Sequence, residues 1–157
     1  MVSNRLGKIT AEYWFVGMAF RKEDIMNKVV ARFTGGNMIK GTTNDFFSGK
    51  DVFHVSVLNA PAEEKPFEIY TKDLKALFFV KDFLGNPHYV NRNEFDPKHP
   101  TIGLKIRVEF KDGEVLVGTS TEYQPGRSGF FILPADADSN NDLCYVVVAA
   151  TKEIRIL

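Results

Sequence analysis

Residues 28–80 can be laid over residues 105–157 at a constant offset of 77, without a gap. Nine positions are identical: Lys28/Lys105, Phe33/Phe110, Gly36/Gly113, Gly41/Gly118, Thr42/Thr119, Gly49/Gly126, Phe53/Phe130, Ala60/Ala137 and Lys75/Lys152. Others keep their chemistry, among them Val29/Ile106, Ile39/Leu116, Phe46/Tyr123, Val55/Ile132, Leu77/Ile154 and Val80/Leu157. A chain written this way is expected to fold the same unit twice. Each unit has only 53 residues, and domains of that size bury only ~60% of their unfolded surface, so the two are expected to lean on each other. The matches fall on glycines and apolar positions that a fold needs, and reactive groups do not recur. The repeat therefore speaks of architecture and hardly at all of chemistry.

Within each unit the pattern predicts five short strands. Lys105–Lys111 alternates charged and apolar residues, the period-two mark of a half-buried strand, and residues 28–34 are its looser counterpart. Gly35-Gly36 and Asp112-Gly113 predict two-residue hairpins with positive φ at both turn positions. Second strands run over 37–46 and 114–123, with Gly41 and Gly118 midway, where a strand glycine marks a bend or bulge. Third strands (53–58, 130–133), fourth strands (67–71, 144–149) and fifth strands (75–80, 152–157) follow.

Five strands, a bent second strand and a tight turn before the fifth give an all-β chain of two tandem five-stranded small barrels, SH3-like or Sm-like, packed together. The expected organisation is an N-terminal extension over 1–27, a first barrel over 28–80, a connecting segment over 81–104 and a second barrel over 105–157. Phe78 stands where the second unit has Arg155, so the first unit's fifth strand is expected to be covered on both faces and Phe78 to bury the contact between barrels. The extension has no counterpart in the second unit. Two readings of it stand open: an extra strand or helix anchored by Trp14, Phe15 and Phe20, or a segment that precedes the natural start, since Lys22-Glu23-Asp24 can be encoded by bases that include a purine-rich ribosome-binding site before Met26.

The charge balance is 20 basic against 20 acidic residues, which predicts no general attraction to nucleic acid or to an anionic membrane. The longest apolar run, Tyr13–Phe20, spans eight residues, against the ~20 of a membrane helix. A single cysteine, Cys144, sits in the run Cys144-Tyr-Val-Val-Val148 and reads as a buried strand thiol. That usage fits a reducing compartment, and a cytoplasmic location is expected.

The pattern Phe33-x-x-Gly36-x-x-x-x-Gly41-x-x-x-x-Phe46 recurs as Phe110-x-x-Gly113-x-x-x-x-Gly118-x-x-x-x-Tyr123. This resembles the first motif of the Sm-like family, and Lys111–Gly118 is particularly similar. The resemblance implies RNA binding, yet the residues it would need depart. The base-contacting asparagine position holds Asp51 or Ser128, and the Arg-Gly pair before the last strand is replaced by Lys72-Asp73 and Ala149-Ala150. The whole arrangement also resembles uncharacterised bacterial tandem small-barrel proteins that carry Leu-Lys-Ala-Leu-Phe-Phe-Val-Lys-Asp-Phe, here Leu74–Phe83. That resemblance implies a regulatory or adaptor role, in signalling or pilus-related regulation. The spaced arginines of the PilZ family are absent.

Four residues are the candidate partner-binding set: Lys50 and Arg127 at equivalent loop tips, and Lys152 and Arg155 on the last strand. Each tip follows an acid by five residues, Asp45 or Glu122, and the plainer reading of each tip is an acid–base pair across a hairpin. Asp136-x-Asp138-x-Asn140-x-Asp142 has the alternate oxygens that open a calcium loop. The glycine and closing glutamate of such a loop are replaced by Asn141 and Val147, so a solvated hairpin loop is the plain reading. His54, His88 and His99 share no metal-ligand spacing. No catalytic residue, cofactor or metal is expected. The expected function is a non-catalytic bacterial binding or adaptor module that recognises a protein partner, through the loop tips or the edge strand 152–157. The alternative is an Sm-like RNA or nucleic-acid binder.

Overall fold

The computed structural model describes residues 27–157. The N-terminal extension, and with it the question of a natural start near Met26, lies outside the described residues. Ten strands follow one another: β1 (Asn27–Phe33), β2 (Met38–Thr43), β3 (Val52–Val57), β4 (Phe67–Tyr70), β5 (Leu74–Val80), β6 (Leu104–Phe110), β7 (Val115–Ser120), β8 (Gly129–Pro134), β9 (Asn141–Val147) and β10 (Thr151–Ile156). Every neighbouring pair is antiparallel. The strands form one sheet in the order β10-β6-β7-β8-β9-β5-β1-β2-β3-β4.

Backbone bonds recur 77 residues apart. In the β1/β2 hairpin Phe33 N–H donates to Asn37 O and Gly36 N–H to Phe33 O; Phe110 to Glu114 and Gly113 to Phe110 do the same between β6 and β7. Thr71 N–H donates to Asp51 O, and Val148 N–H to Ser128 O. The turns differ from the two-residue form expected. Among their glycines only Gly36 (φ 99°) and Gly113 (φ 94°) have positive φ. With the i to i+3 bond this describes a three-residue loop, a tight turn closed by a left-handed glycine, which needs one such residue and not two. Gly41 and Gly118 are there for close approach: a Cβ would stand 2.1 Å from Ser56 O or 2.2 Å from Leu133 O.

The sheet is not closed into a barrel, and the two halves do not stand as separate closed units. They are fused where β5 pairs with β9, Phe78 opposite Cys144 and Leu77 opposite Tyr145. Each half is nonetheless strongly curled. In the first half β4 and β5 lie at opposite ends of the order β5-β1-β2-β3-β4, yet the single 3-10 turn Thr71–Asp73 joins them. Five flat strands would separate those ends by ~19 Å, whereas three 3-10 residues rise only ~6 Å. Val148–Ala150 imposes the same curl between β9 and β10.

Two cores fill the curls, and the seam contributes to both. Val29, Ala31, Phe46, Phe53, Leu77 and Phe79 pack with Tyr145 and Val147 from the second half. Ile106, Val108, Phe110, Phe130 and Cys144 pack with Val30, Ala76, Phe78 and Val80 from the first. Alternation along β5 thus sends successive side chains into different cores, and all seven of its residues are buried. Phe78, 5% exposed, stands at the junction where the sequence places it. Burial also pushes the Cys144 thiol well above its ordinary pKa.

Candidate functional site

The loop tips come first. Asp45 and Glu122 do not pair with Lys50 and Arg127. Each acid, at the end of β2 or β7, accepts a backbone N–H from the next strand: His54 to Asp45 at 3.0 Å and Phe131 to Glu122 at 2.6 Å. A short polar side chain there caps the strand crossing, a structural task that explains why an acid recurs in both halves. Asp45 also holds the His54 ring at 2.8 Å. Burial works to raise the Asp45 carboxyl, but its bonds from His54 and Thr43 outweigh that and hold it below its ordinary pKa.

Lys50 lies over the Phe47 ring, 4.9 Å from its centroid. Arg127 donates to the Glu122 carbonyl at 3.3 Å. The two loops meet across the seam, where Ser48 Oγ donates to Glu122 Oε2 at 2.9 Å and Gly49 N–H to Tyr145 Oη at 3.1 Å. The structure therefore brings the Lys50 and Arg127 loops together. It leaves Lys152 and Arg155 apart from them, on the edge strand β10, where Lys152 faces Glu109 at 3.7 Å and Arg155 faces Glu153 at 3.1 Å.

An ion cluster in which a buried lysine meets two half-exposed acids also bridges the halves, and nothing in the sequence signalled it. Lys75, 8% exposed, donates to Asp112 Oδ2 at 2.7 Å and to Glu114 Oε1, and its ammonium lies 4.8 Å from the Phe110 ring centroid. The bond from Lys75 holds the Asp112 carboxyl below its ordinary pKa. Lys75 aligns with Lys152 and nothing in its local sequence sets it apart. Only the fold reveals that its partners stand on the other half's hairpin.

The connecting segment crosses the surface as a strap. Its anchor is the Asp136–Asp142 loop, which is not the solvated loop expected: Asp136 and Ser139 are buried, and the Asp136 oxygens accept from groups of the strap. Asp136, 5% exposed, accepts the Tyr89 hydroxyl at 2.6 Å, the Arg92 N–H at 2.9 Å and the Arg92 guanidinium at 2.8 Å. Arg92 also reaches Asp138 at 2.8 Å. The guanidinium bond holds the Asp136 carboxyl far below its usual range and raises Arg92 in turn. Asn140 exchanges two bonds with the backbone of Asp82, and Lys81 donates to the carbonyls of Ala137 and Ser139. Among the described residues no group of His, Cys, Asp and Glu is gathered to hold a metal ion, and no helix is long and apolar enough to cross a membrane.

Between strap and sheet lies a cleft of about 630 Å³. Its floor is the outer face of the first half, with Val30 and Arg32 from β1, Met38 and Lys40 from β2, and Phe78 and Val80 from β5. Its walls are the strap around Asp82–Asn91, the loop at Asp138–Asn141, and Glu114. Such half-apolar concavities are where ligands commonly bind. Neither the cleft nor Arg32 was signalled by the sequence, because the strap that makes the wall has no counterpart in the repeat.

With this geometry in hand, the chain is placed by comparison: it belongs to the DUF6982 family, a family of unknown function, whose description matches residues 25–157. No curated protein and no solved structure matches it.

Proposed function

We propose that this chain is a non-catalytic bacterial binding or adaptor module, a tandem duplication of an Sm-like or SH3-like small-barrel unit, which recognises a protein partner by accepting an extended segment at a sheet edge. One observation carries the reading: the ten-stranded sheet ends in two strands, β4 and β10, each paired on one side only. Open edges offer unpaired N–H and C=O groups to an incoming strand. On β10 the exposed Lys152, Glu153 and Arg155 blunt the edge, as charges on edge strands do. β10 exposes one large apolar side chain beside those three charges, Ile156 at 54%, whereas β4 exposes two, Phe67 at 48% and Tyr70 at 46%, beside the single charge of Glu68. We therefore assign β4 as the receiving edge, in place of the 152–157 strand favoured by the sequence. The duplication is supported by strand limits and backbone bonds that recur 77 residues apart.

The groups that chemistry would call on are committed elsewhere. Cys144 is buried among apolar neighbours, Asp136 anchors the strap, and Asp45 and Glu122 cap strand ends. A pull-down from native lysate, with and without nuclease, tests the reading. The expected result is a protein that survives nuclease and is lost in the Phe67→Ala/Tyr70→Ala variant. Co-purifying RNA, or a partner released by nuclease, would replace the reading with the nucleic-acid one.

A further inference from the structure

We infer that the cleft beneath the strap is a second recognition site, independent of the sheet edge, which takes an acidic peptide segment of a partner protein with a carboxylate on Arg32. Six ionic side chains line the cleft: Arg32, Lys40, Lys81, Asp82, Glu114 and Asp138. Four of them are matched by other groups of the protein. Lys40 donates to Phe83 O at 2.8 Å, Lys81 to Ala137 O at 3.0 Å, Glu114 accepts from Lys75, and Asp138 holds Arg92. Asp82 accepts the Leu84 N–H and lies at the exposed end of the cleft. Arg32 alone has no acidic or hydrogen-bonding partner among the described residues; its guanidinium lies 5.8 Å from the centroid of the Phe78 ring.

That placement prepares Arg32 for a carboxylate. At that distance the guanidinium sits at cation–π range of the ring, and none of its N–H donors is engaged by a described acid or carbonyl, so its fork is available to two carboxylate oxygens. The group is half-buried, so a bound carboxylate is screened less than at an open surface. Met38, the register partner of Arg32 on β2, is 43% exposed, and Leu84 on the strap, which also lines the cleft, is 86% exposed, so burial would reward an apolar residue near the acid. Asn91 and Asn141 bring carboxamides that no described residue engages, each with a donor and an acceptor, the complement of a peptide unit. A carboxylate, an adjoining apolar group and peptide amides together describe an extended acidic segment.

The test selects random heptapeptides on the immobilised full chain and on its Arg32→Glu and Arg32→Gln variants, with thermal melts to confirm folding. The expected wild-type selection carries Asp or Glu beside a large apolar residue. Affinity of a selected peptide should fall at least tenfold in Arg32→Gln, and Arg32→Glu should select Lys or Arg instead. The Phe67→Ala/Tyr70→Ala edge variant should bind the peptide as wild type does. Selection without an acidic residue, no selection at all, or binding that ignores Arg32→Gln overturns the inference. A peptide lost in the edge variant but kept in Arg32→Gln overturns it too, while leaving the edge reading standing.

Discussion

The fifth strand of each half occupies the same place in its unit, and the two have opposite fates. β5 has hydrogen-bonded neighbours on both sides and all of its residues are buried; β10 pairs with β6 alone and is exposed at four of its six positions. The residues follow the fates. Ala76 and Phe78 correspond to Glu153 and Arg155, so the face that enters a foreign core in one copy carries charge in the other. The comparison teaches that a duplicated strand is specified by its alternate side chains, and that a sheet can be continued at one copy and terminated at the next by changing two of them.

The largest difference between the two strands is expected at Phe78 and Arg155. Phe78→Ala should destabilise the protein by about 3–5 kcal/mol, the range for an aromatic removed from a core, while Arg155→Ala should stay within about 0.5 kcal/mol. Urea denaturation of both variants checks this, and equal losses would show that the seam is no more than another edge. Next comes a position where the copies should agree. Gly41→Ala and Gly118→Ala each force a Cβ against a carbonyl of the neighbouring strand, and each should lose about 2 kcal/mol or more in the same assay. A loss in one half only would mean that the other can relax.

The lysines sharpen the contrast further. Lys75→Met should lose about 1–2 kcal/mol, because it leaves Asp112 and Glu114 without their shared cation; Lys152→Met, at an exposed pair, should lose under about 1 kcal/mol. A pH-dependent effect belongs to the strap. The Asp136 carboxyl is depressed in the folded chain, so its stabilisation is complete above the ordinary carboxylate range and drains away as pH falls below ~4 toward the folded value. Asp136→Asn should therefore be less stable than wild type by about 1 kcal/mol at neutral pH, and the difference should close in acid. A difference independent of pH would assign the effect to packing.

Much of this was legible because the relevant forces are local. The paired glycines, the alternation of Lys105–Lys111 and the apolar substitution at Phe78 state strand, turn and burial within a few residues of themselves. What stayed hidden depends on distant pairings. No local feature says that β5 chooses β9, that Lys75 meets acids 37 and 39 residues away, or that Asp136 meets Arg92. The same limit explains the loop tips. Asp45 and Glu122 look like partners for the nearby cations, but the amide of an adjacent strand lies closer and offers no competing side-chain entropy. The cleft needed three separate segments to be seen together, so its unpaired arginine had no signature of its own.

One ribbon, Leu74–Val80, lends side chains to both interiors. Neither half can then be taken away without opening a wound in the other, and residues 27–157 offer no natural place for the two halves to come apart. Heat or denaturant should dismantle it in a single cooperative step, and a gene split at the strap should give two fragments that gain structure only when mixed.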